Sequence, residues 1–272
     1  MSGWIYIGLI LLLAIGIPYF SILTTSVIKL RGYGLQAGNF TWQHYRELFT
    51  ANTKGRQALL NSVGLALSSA TLASILGTAT VLRLHHRQTA AAGRRRGLKS
   101  DRLLEATALL PEMLPSIVLV IGIMLFWNRI YRLIPLYNTL GIMVLAYTVL
   151  FLPYSVQYVS SAYSQLSPSL LAAASVAGGR PAYVLRRITL PLLFKGILSG
   201  WIMIFIIAFR ELVTASLIAP PDTLVVSTYI LREFEQGSVS SGMAMAVLCV
   251  LFTTGSLLLL TRLLKPAVRR QT

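Results

Sequence analysis

The sequence predicts an all-α integral membrane protein with six membrane-spanning helices in a single domain, residues 1–272. Of its residues, 55% are hydrophobic and only 12% are charged, whereas about a quarter are charged in soluble domains. The apolar residues form six segments, each close to the roughly 20 residues that a helix needs to cross the hydrocarbon core. Because lipid cannot satisfy the backbone, helices fill such segments. The predicted spans are 4–28, 57–82, 103–127, 139–160, 192–219 and 242–263.

Basic residues are distributed unevenly between the two sides of these spans. The net charge of +16 would indicate nucleic-acid binding in a soluble protein. Here, however, most Lys and Arg residues follow spans two, four and six. Under the positive-inside rule this bias predicts that both termini are cytoplasmic. Span one disagrees locally, because no basic residue precedes Trp4 whereas Lys29 and Arg31 follow the span. That basic-poor start also argues against a signal peptide.

Motifs for catalysis or for metal binding are not convincing in this sequence. Cys249 is the single cysteine, so neither a disulfide framework nor a cysteine metal site is expected. The segment 93–100 resembles a phosphate loop, but its glycines have the wrong spacing and no strand precedes it. The adjacent pair His85 and His86 has no further ligand nearby. We therefore predict no catalytic residue, metal site or cofactor, and no ATP hydrolysis by the chain itself.

The segment 161–191, between spans four and five, carries the most informative spacing. Its signature is Ala172-Ala173-Ala174, three residues, Gly178, nine residues, and Ile188-Thr189-Leu190-Pro191. Glycine tolerates the positive φ that a sharp turn between helices needs. Pro181 suits the first turn of the following helix. Arg186 and Arg187 are then expected near the end of that second helix, where cations complement its dipole.

This spacing resembles the EAA loop of the permease subunits of binding-protein-dependent, type I ABC importers. In that family the loop is a short helix, a glycine turn and a second helix that docks on a separate ATPase. The leading Glu of the family is Ala172 here, which favours a heteromeric or formerly fused pair of permease halves. The coupling residues that the resemblance implies are Ala172, Ala173, Ala174, Gly178, Ile188, Leu190 and Pro191.

The resemblance continues along nearly the whole chain. Segment 40–48, the dipeptide Asn61-Ser62 and the prolines Pro111 and Pro115 in span three are similar to family motifs. The prolines are expected to kink their helix. The family implies a non-catalytic permease in the bacterial inner membrane. Its implied partners are cytoplasmic ATPase subunits, a second permease half, a periplasmic binding protein and the lipid bilayer, but no nucleic acid.

Three charged residues inside the predicted spans are candidates for the translocation pathway. Glu112 lies about nine residues into span three, and Arg210 and Glu211 lie in span five. Charge inside a membrane is costly and usually faces a protein interior or a water-filled cavity. A structural ion pair with a neighbouring helix is the alternative for each. Adjacent helix positions do not face each other, so Arg210 and Glu211 are expected to have different partners.

The sequence Phe209-Arg210-Glu211-Leu212 resembles a stretch in span five of ferric-iron-type permeases. It therefore favours ferric iron as the cargo, although thiamine, polyamine and phosphonate importers share the architecture. The alternative from a different class is an ATP-independent secondary transporter. Many such proteins have inverted repeats, which we do not detect in this sequence. A secondary transporter would also have no reason to carry the spacing of residues found around Gly178.

Overall fold

In a computed structural model, the chain is helical through most of the described residues, which are 2–50, 53–90 and 99–264. Apart from an isolated bridge between Ile28 and Phe40, these ranges contain no β-structure. The α-helices are α1 (Ser2–Leu11), α2 (Ile17–Ser26), α3 (Gln43–Phe49), α4 (Lys54–Ala90), α5 (Lys99–Met113), α6 (Ser116–Arg129), α7 (Leu140–Ser164), α8 (Pro168–Val176), α9 (Pro181–Val184), α10 (Leu190–Phe209), α11 (Val213–Ile218), α12 (Val226–Glu235) and α13 (Val239–Leu264). The predicted all-α class is confirmed.

Five helical runs within the described residues are long and apolar enough to cross a membrane. They correspond to predicted spans one, two, four, five and six, although their ends differ from the predicted ones. The runs are Gly3–Ser26, Lys54–Leu84, Leu140–Ser164, Pro181–Phe209 and Val239–Arg262.

Span three is broken, and the two pieces meet at a sharp angle. Helices α5 and α6 are bent by 112° at the short break between Met113 and Ser116. Pro115 causes the break, because it has no N–H to donate and it disfavours a helical conformation at the residue before it. Pro111, by contrast, stays inside α5. The predicted kink therefore occurs at Pro115, where it is sharp enough to end α5, but not at Pro111.

Span five also differs from its prediction at both ends. Its helix begins before Pro191, because α9 continues through a π-helical turn, Leu185–Thr189, into α10. A wider turn accommodates the missing donor and the bulky ring of Pro191. Arg186 and Arg187 therefore lie inside a continuous helical run, near its beginning, and not at the end of a helix as expected. At the other end, the helix stops at Phe209 and not at residue 219.

The chain divides into two compact units, of which the first comprises Met1–Val63 and Asp222–Gly255. Within it, the dipeptide Asn61-Ser62 fixes the segment that leads into α12. The amide of Asn61 donates to the carbonyl oxygen of Leu224 at 2.9 Å, and Ser62 Oγ accepts from the N–H of Val226 at 2.8 Å. Ser62 thus satisfies an N–H at the start of α12 that the helix itself leaves without an acceptor.

His44 connects two other parts of this first unit. Its Nε2 lies 3.1 Å from the carbonyl oxygen of Ile28, and its Nδ1 lies 3.2 Å from Ser241 Oγ. Helix α3 is thereby linked both to the segment after α2 and to the start of α13. In the first membrane-length run, Gly3–Ser26, by contrast, none of the most apolar residues is buried inside the chain.

The second unit comprises Gly64–Pro221 and Ser256–Thr272, and α7 is its central helix. Helix α7 packs against α5, α6, α10 and α11. The hydrophobic core of this second unit includes Val81, Ala108, Val156, Val159 and Leu193.

Small residues allow close approach of the helices in this unit. A side chain at Gly77 would overlap Ser155, and one at Gly196 would overlap Ala162.

Several predictions fall on residues that the structure does not describe. The segment 93–98, with the three arginines that we place on the cytoplasmic side, and the tail from residue 265 lie outside the described ranges. The assignment of one domain to residues 1–272 stays a prediction.

Candidate functional site

The loop between α7 and α10 contains the turn that its sequence predicted. Helix α8 ends at Val176, and Gly178 adopts a φ of +76°. The N–H of Gly179 bonds to the carbonyl oxygen of Ala174 at 3.0 Å. A glycine at positive φ with this backbone bond across it is the Schellman motif that commonly ends helices. The predicted conformation of Gly178 is confirmed.

Gly179 is a second requirement of this turn, and the sequence reasoning missed it. A Cβ atom at Gly179 would lie 2.7 Å from the carbonyl oxygen of Ala174 and 2.9 Å from Cγ2 of Val184. Both distances are shorter than van der Waals contact permits. Gly178 is therefore needed for its backbone angle and Gly179 for space.

The loop presents a group of exposed apolar side chains, which we call the loop patch: Leu170, Val176 and Tyr183. Val176 is 90% exposed and Tyr183 is 61% exposed. Exposed arginines lie on either side of Tyr183 in the sequence, at positions 180, 186 and 187. Exposed apolar residues in a polar setting are typical of surfaces that bind a partner.

The implied coupling residues are distributed over three elements. The alanine triplet lies on α8, Ile188 in the π-helical turn, and Leu190 and Pro191 at the start of α10. Ala172, Ala173 and Gly178 are exposed, whereas Ile188 and Leu190 are half-buried. The second pair therefore packs the loop onto the chain.

Glu112 lies at the end of α5, three residues before Pro115. Its Oε2 accepts a hydrogen bond of 2.5 Å from Nε2 of Gln157 on α7. Both side chains are exposed on the surface of the chain. Sequence reasoning missed Gln157, although an amide within an apolar span was a signal that could have indicated it.

Arg210 and Glu211 occupy the break between α10 and α11. Glu211 Oε1 accepts from the N–H of Thr214 at 3.1 Å and from Thr214 Oγ1 at 3.2 Å. This carboxylate therefore satisfies a donor at the start of α11. The backbone oxygen of Glu211 also accepts from the hydroxyl of buried Tyr147 at 3.4 Å. Arg210, in contrast, is exposed.

The structure does not bring the pathway candidates into one cluster. Gln157, the partner of Glu112, and Tyr147, the partner of Glu211, are ten residues apart on α7, which corresponds to about 15 Å along a helix. Glu112 and Glu211 therefore lie at different levels of the second unit. No group of three or more residues of the kinds that bind metals occurs in the part of the chain that the structure describes.

Comparison with protein families identifies the class of protein. The family described as "binding-protein-dependent transport system inner membrane component" matches residues 89–270. The chain belongs to this family of ABC importer permeases. Its fold agrees, because it resembles a permease chain in the crystal structure of a bacterial alginate ABC transporter, with a TM-score of 0.72 and 14% sequence identity over 98% of this chain and 93% of that one.

Relatives of this permease are named for different cargoes. The spermidine/putrescine permease protein PotC of Haemophilus influenzae is 26% identical over 87% of this chain and 86% of its own length. The trehalose permease protein SugB of Mycobacterium tuberculosis is 29% identical over 87% of this chain and 83% of its own length. The Fe(3+)-transport permease protein FbpB 2 of H. influenzae is 26% identical, but the match covers 53% of this chain and 29% of that protein.

Proposed function

We propose that this permease forms half of an ATP-driven import pathway and that its loop 161–191 receives a separate cytoplasmic ATPase. The observation that carries the proposal is the short helix, the Gly178 turn and the helix that runs directly into span five. The loop patch supports it, because Val176 and Tyr183 are left exposed beside this turn. Their burial against a partner would be favourable, at about 25 cal/mol per Å² of apolar surface.

Co-purification with the ATPase tests this proposal. We expect Val176→Asp and Tyr183→Asp to lose the ATPase, because each places a carboxylate in an apolar contact. The matched control is Tyr33→Asp, which changes a similarly exposed tyrosine, 59% exposed, on the side predicted to be periplasmic. Retention of the ATPase by both loop-patch variants would contradict the proposed contact.

The proposed orientation places both termini in the cytoplasm of a cell with an inner membrane. It is supported by the basic residues that follow spans two, four and six. A single cysteine introduced as Ser100→Cys in a Cys249→Ala background tests it. We expect a membrane-impermeant thiol reagent to label this cysteine only after permeabilisation, whereas labelling in intact cells would reverse the topology.

A second permease half is proposed to cover the face that carries Glu112 and Gln157. Both side chains are exposed on this chain, yet both belong to segments that cross the membrane. An exposed carboxylate and amide are unfavourable next to lipid, so a protein partner or a water-filled cavity is expected there. The mass of the purified complex distinguishes two identical halves from two different ones. One copy of this chain with a different permease is the expected result, because Ala172 replaces the glutamate of the family.

For the cargo, we propose a cationic solute delivered by a periplasmic binding protein. Glu112 supports this class, because its carboxylate is exposed beside a helix break. Ferric iron is favoured by the motif at residues 209–212, and polyamines by the coverage of the match to PotC. Uptake of labelled ferric iron and labelled spermidine, each with its binding protein, decides between them. Uptake of a neutral sugar alone would contradict a cationic cargo.

A further inference from the structure

A cavity of about 670 Å³ lies behind the loop 161–191, between it and the ends of two membrane-length helices. The loop contributes Leu171, Ala172 and Ala182 to its wall, and α4 contributes Leu82 and Arg83. This volume is within the range of known small-molecule sites, about 300–1,000 Å³. The cavity belongs entirely to the second unit.

The position of this cavity along the membrane normal follows from the ends of the helices that line it. Arg83 is one residue from Leu84, where the apolar run of α4 ends, and Tyr163 is one residue from the end of α7. Arginine and tyrosine at such positions lie at the level of the lipid headgroups. The mouth of the cavity is therefore expected at the interface between bilayer and water.

The chemistry of the wall fits an amphiphile with a negative headgroup. Most lining residues are apolar, and Arg83 is the charged residue among them. An apolar pocket favours a hydrocarbon chain, at about 0.8 kcal/mol for each CH₂ group removed from water. A guanidinium at its edge binds a phosphate through directional hydrogen bonds. The exposed arginines of the same loop add an attractive field for anionic lipids.

We propose that this cavity binds an anionic phospholipid, with the phosphate at Arg83 and the first part of an acyl chain against Leu82, Leu171 and Ala182. Such a lipid would lie directly behind the Gly178 turn, because Ala172 and Gly179 also line the cavity. The site does not depend on which side of the membrane the loop occupies, since a phospholipid is available in either leaflet.

Two neighbouring alanines of α8 provide a matched pair of variants. Both alanines are exposed, but Ala172 lines the cavity and Ala173 does not. Ala172→Glu would place a negative charge in the wall and repel the phosphate. Ala173→Glu adds the same charge to the same helix outside the cavity. A second pair is Arg83→Gln, with Arg129→Gln at the end of α6 as its control.

Native mass spectrometry of the purified full-length permease measures the binding. The probes are phosphatidylglycerol and phosphatidylcholine with identical acyl chains. We expect phosphatidylglycerol to be retained more strongly by the unmodified protein. Arg83→Gln and Ala172→Glu should each weaken its binding about fivefold, which follows from roughly 1 kcal/mol for one basic residue at a membrane surface. Ala173→Glu and Arg129→Gln should bind it much as the unmodified protein does.

Equal retention of the two lipids, or retention of phosphatidylglycerol that neither Arg83→Gln nor Ala172→Glu reduces, would overturn the proposal. Monodisperse elution during size-exclusion chromatography verifies that each variant is folded. Because Arg83→Gln removes the charge without adding bulk to the cavity, loss of binding in this folded variant has a direct interpretation.

Discussion

Glu112 and Gln157 form a short hydrogen bond, 2.5 Å between Oε2 and Nε2, across two helices of the second unit. The bond fixes the carboxylate just before the break at Pro115, where α5 and α6 diverge by 112°. Neither side chain is enclosed by the chain itself. A carboxylate that is held in place and still accessible is well suited to interact with a cation that passes between helices.

Glu112→Gln tests this interaction directly. The substitution keeps the size of the side chain and its ability to bond with Gln157 but removes the charge. For a cationic cargo we expect uptake per assembled complex to fall about tenfold, which corresponds to roughly 1.4 kcal/mol, the difference expected between a charged and a neutral hydrogen bond. Glu105→Gln on the same helix is the control, since Glu105 is also exposed. Equal uptake by the two variants would remove Glu112 from the pathway.

Glu211 is predicted to act on stability through its bond to Thr214. Glu211→Ala removes the acceptor for the N–H of Thr214, and losses of such caps cost about 1 kcal/mol. Glu211→Gln keeps an acceptor oxygen at the same position. We therefore expect a lower thermal midpoint for the alanine variant and a nearly unchanged midpoint for the glutamine variant.

The glutamine variant also separates the two roles that the sequence left open for Glu211. Reduced uptake at normal stability would identify Glu211 as part of the pathway, whereas normal uptake would leave it with a structural role only. Equal loss of stability in the alanine and glutamine variants would contradict the capping interpretation.

Gly178→Val should uncouple the permease from its proposed ATPase. Valine is strongly disfavoured at a φ of +76° because its Cβ is branched, and such strain costs roughly 1–3 kcal/mol. We expect at least a fivefold loss of ATP hydrolysis stimulated by the binding protein, while the chain still inserts into the membrane. Gly255→Val is the control, because Gly255 lies in α13 with open space around it. Normal stimulation in Gly178→Val would disprove the role of this turn.

Two glycines of α4 should respond in opposite ways to the same substitution. A methyl group at Gly77 would overlap Ser155 and lie 3.1 Å from the backbone nitrogen of Val156, and overpacking of this kind costs about 1–3 kcal/mol. Gly64 has open space and an ordinary helical backbone, so alanine there should be neutral or stabilise the helix by up to about 1 kcal/mol. Thermal unfolding of Gly77→Ala and Gly64→Ala in detergent tests this contrast; equal midpoints would contradict the close packing of α4 on α7.

Glu233 on α12 should give the first unit a pH-dependent stability. Burial raises the pKa of its carboxyl group, nearby Glu47 raises it further, and Arg232 and Lys54 oppose the shift. The folded protein therefore holds this proton more tightly than the unfolded chain does. Its contribution to stability is fully present below the ordinary glutamate pKa of about 4.3 and is lost as the pH rises through the raised value.

Glu233→Gln should therefore increase the thermal midpoint at neutral pH and have little effect near pH 4. A midpoint difference for Glu233→Gln that is constant between pH 4 and pH 8 would contradict the raised pKa.

The helices and the Gly178 turn were predictable because local sequence specifies them. A long apolar run determines where a helix can span the bilayer, and a glycine between two helical segments marks a turn. The helix ends were less predictable. Span five was predicted to begin after Pro191, at residue 192, but its helix includes Pro191, because a π-helical turn accommodates this residue. Span five was expected to continue to residue 219, because its composition remains apolar beyond the break at Arg210.

The partners of the charged residues could not be predicted, because they depend on how distant helices meet. Gln157 is 45 positions from Glu112, and Tyr147 is 64 positions from Glu211. Nothing in the local sequence around Glu112 indicates the register of α5 against α7. In the same way, the local sequence gives no reason for a glycine at position 179. The positions of Ala174 and Val184 show that no larger residue fits there.

The π-helical turn at Leu185–Thr189 has a mechanical consequence. Because it joins α9 to α10 without a break, residues 181–209 form one rod, about 43 Å long. A rod of this kind behaves as a lever: a small tilt at the Gly178 end displaces the Arg210 end by a distance that grows with its length. A tilt that begins at the loop is therefore expected to be felt at the far end of the same helical run.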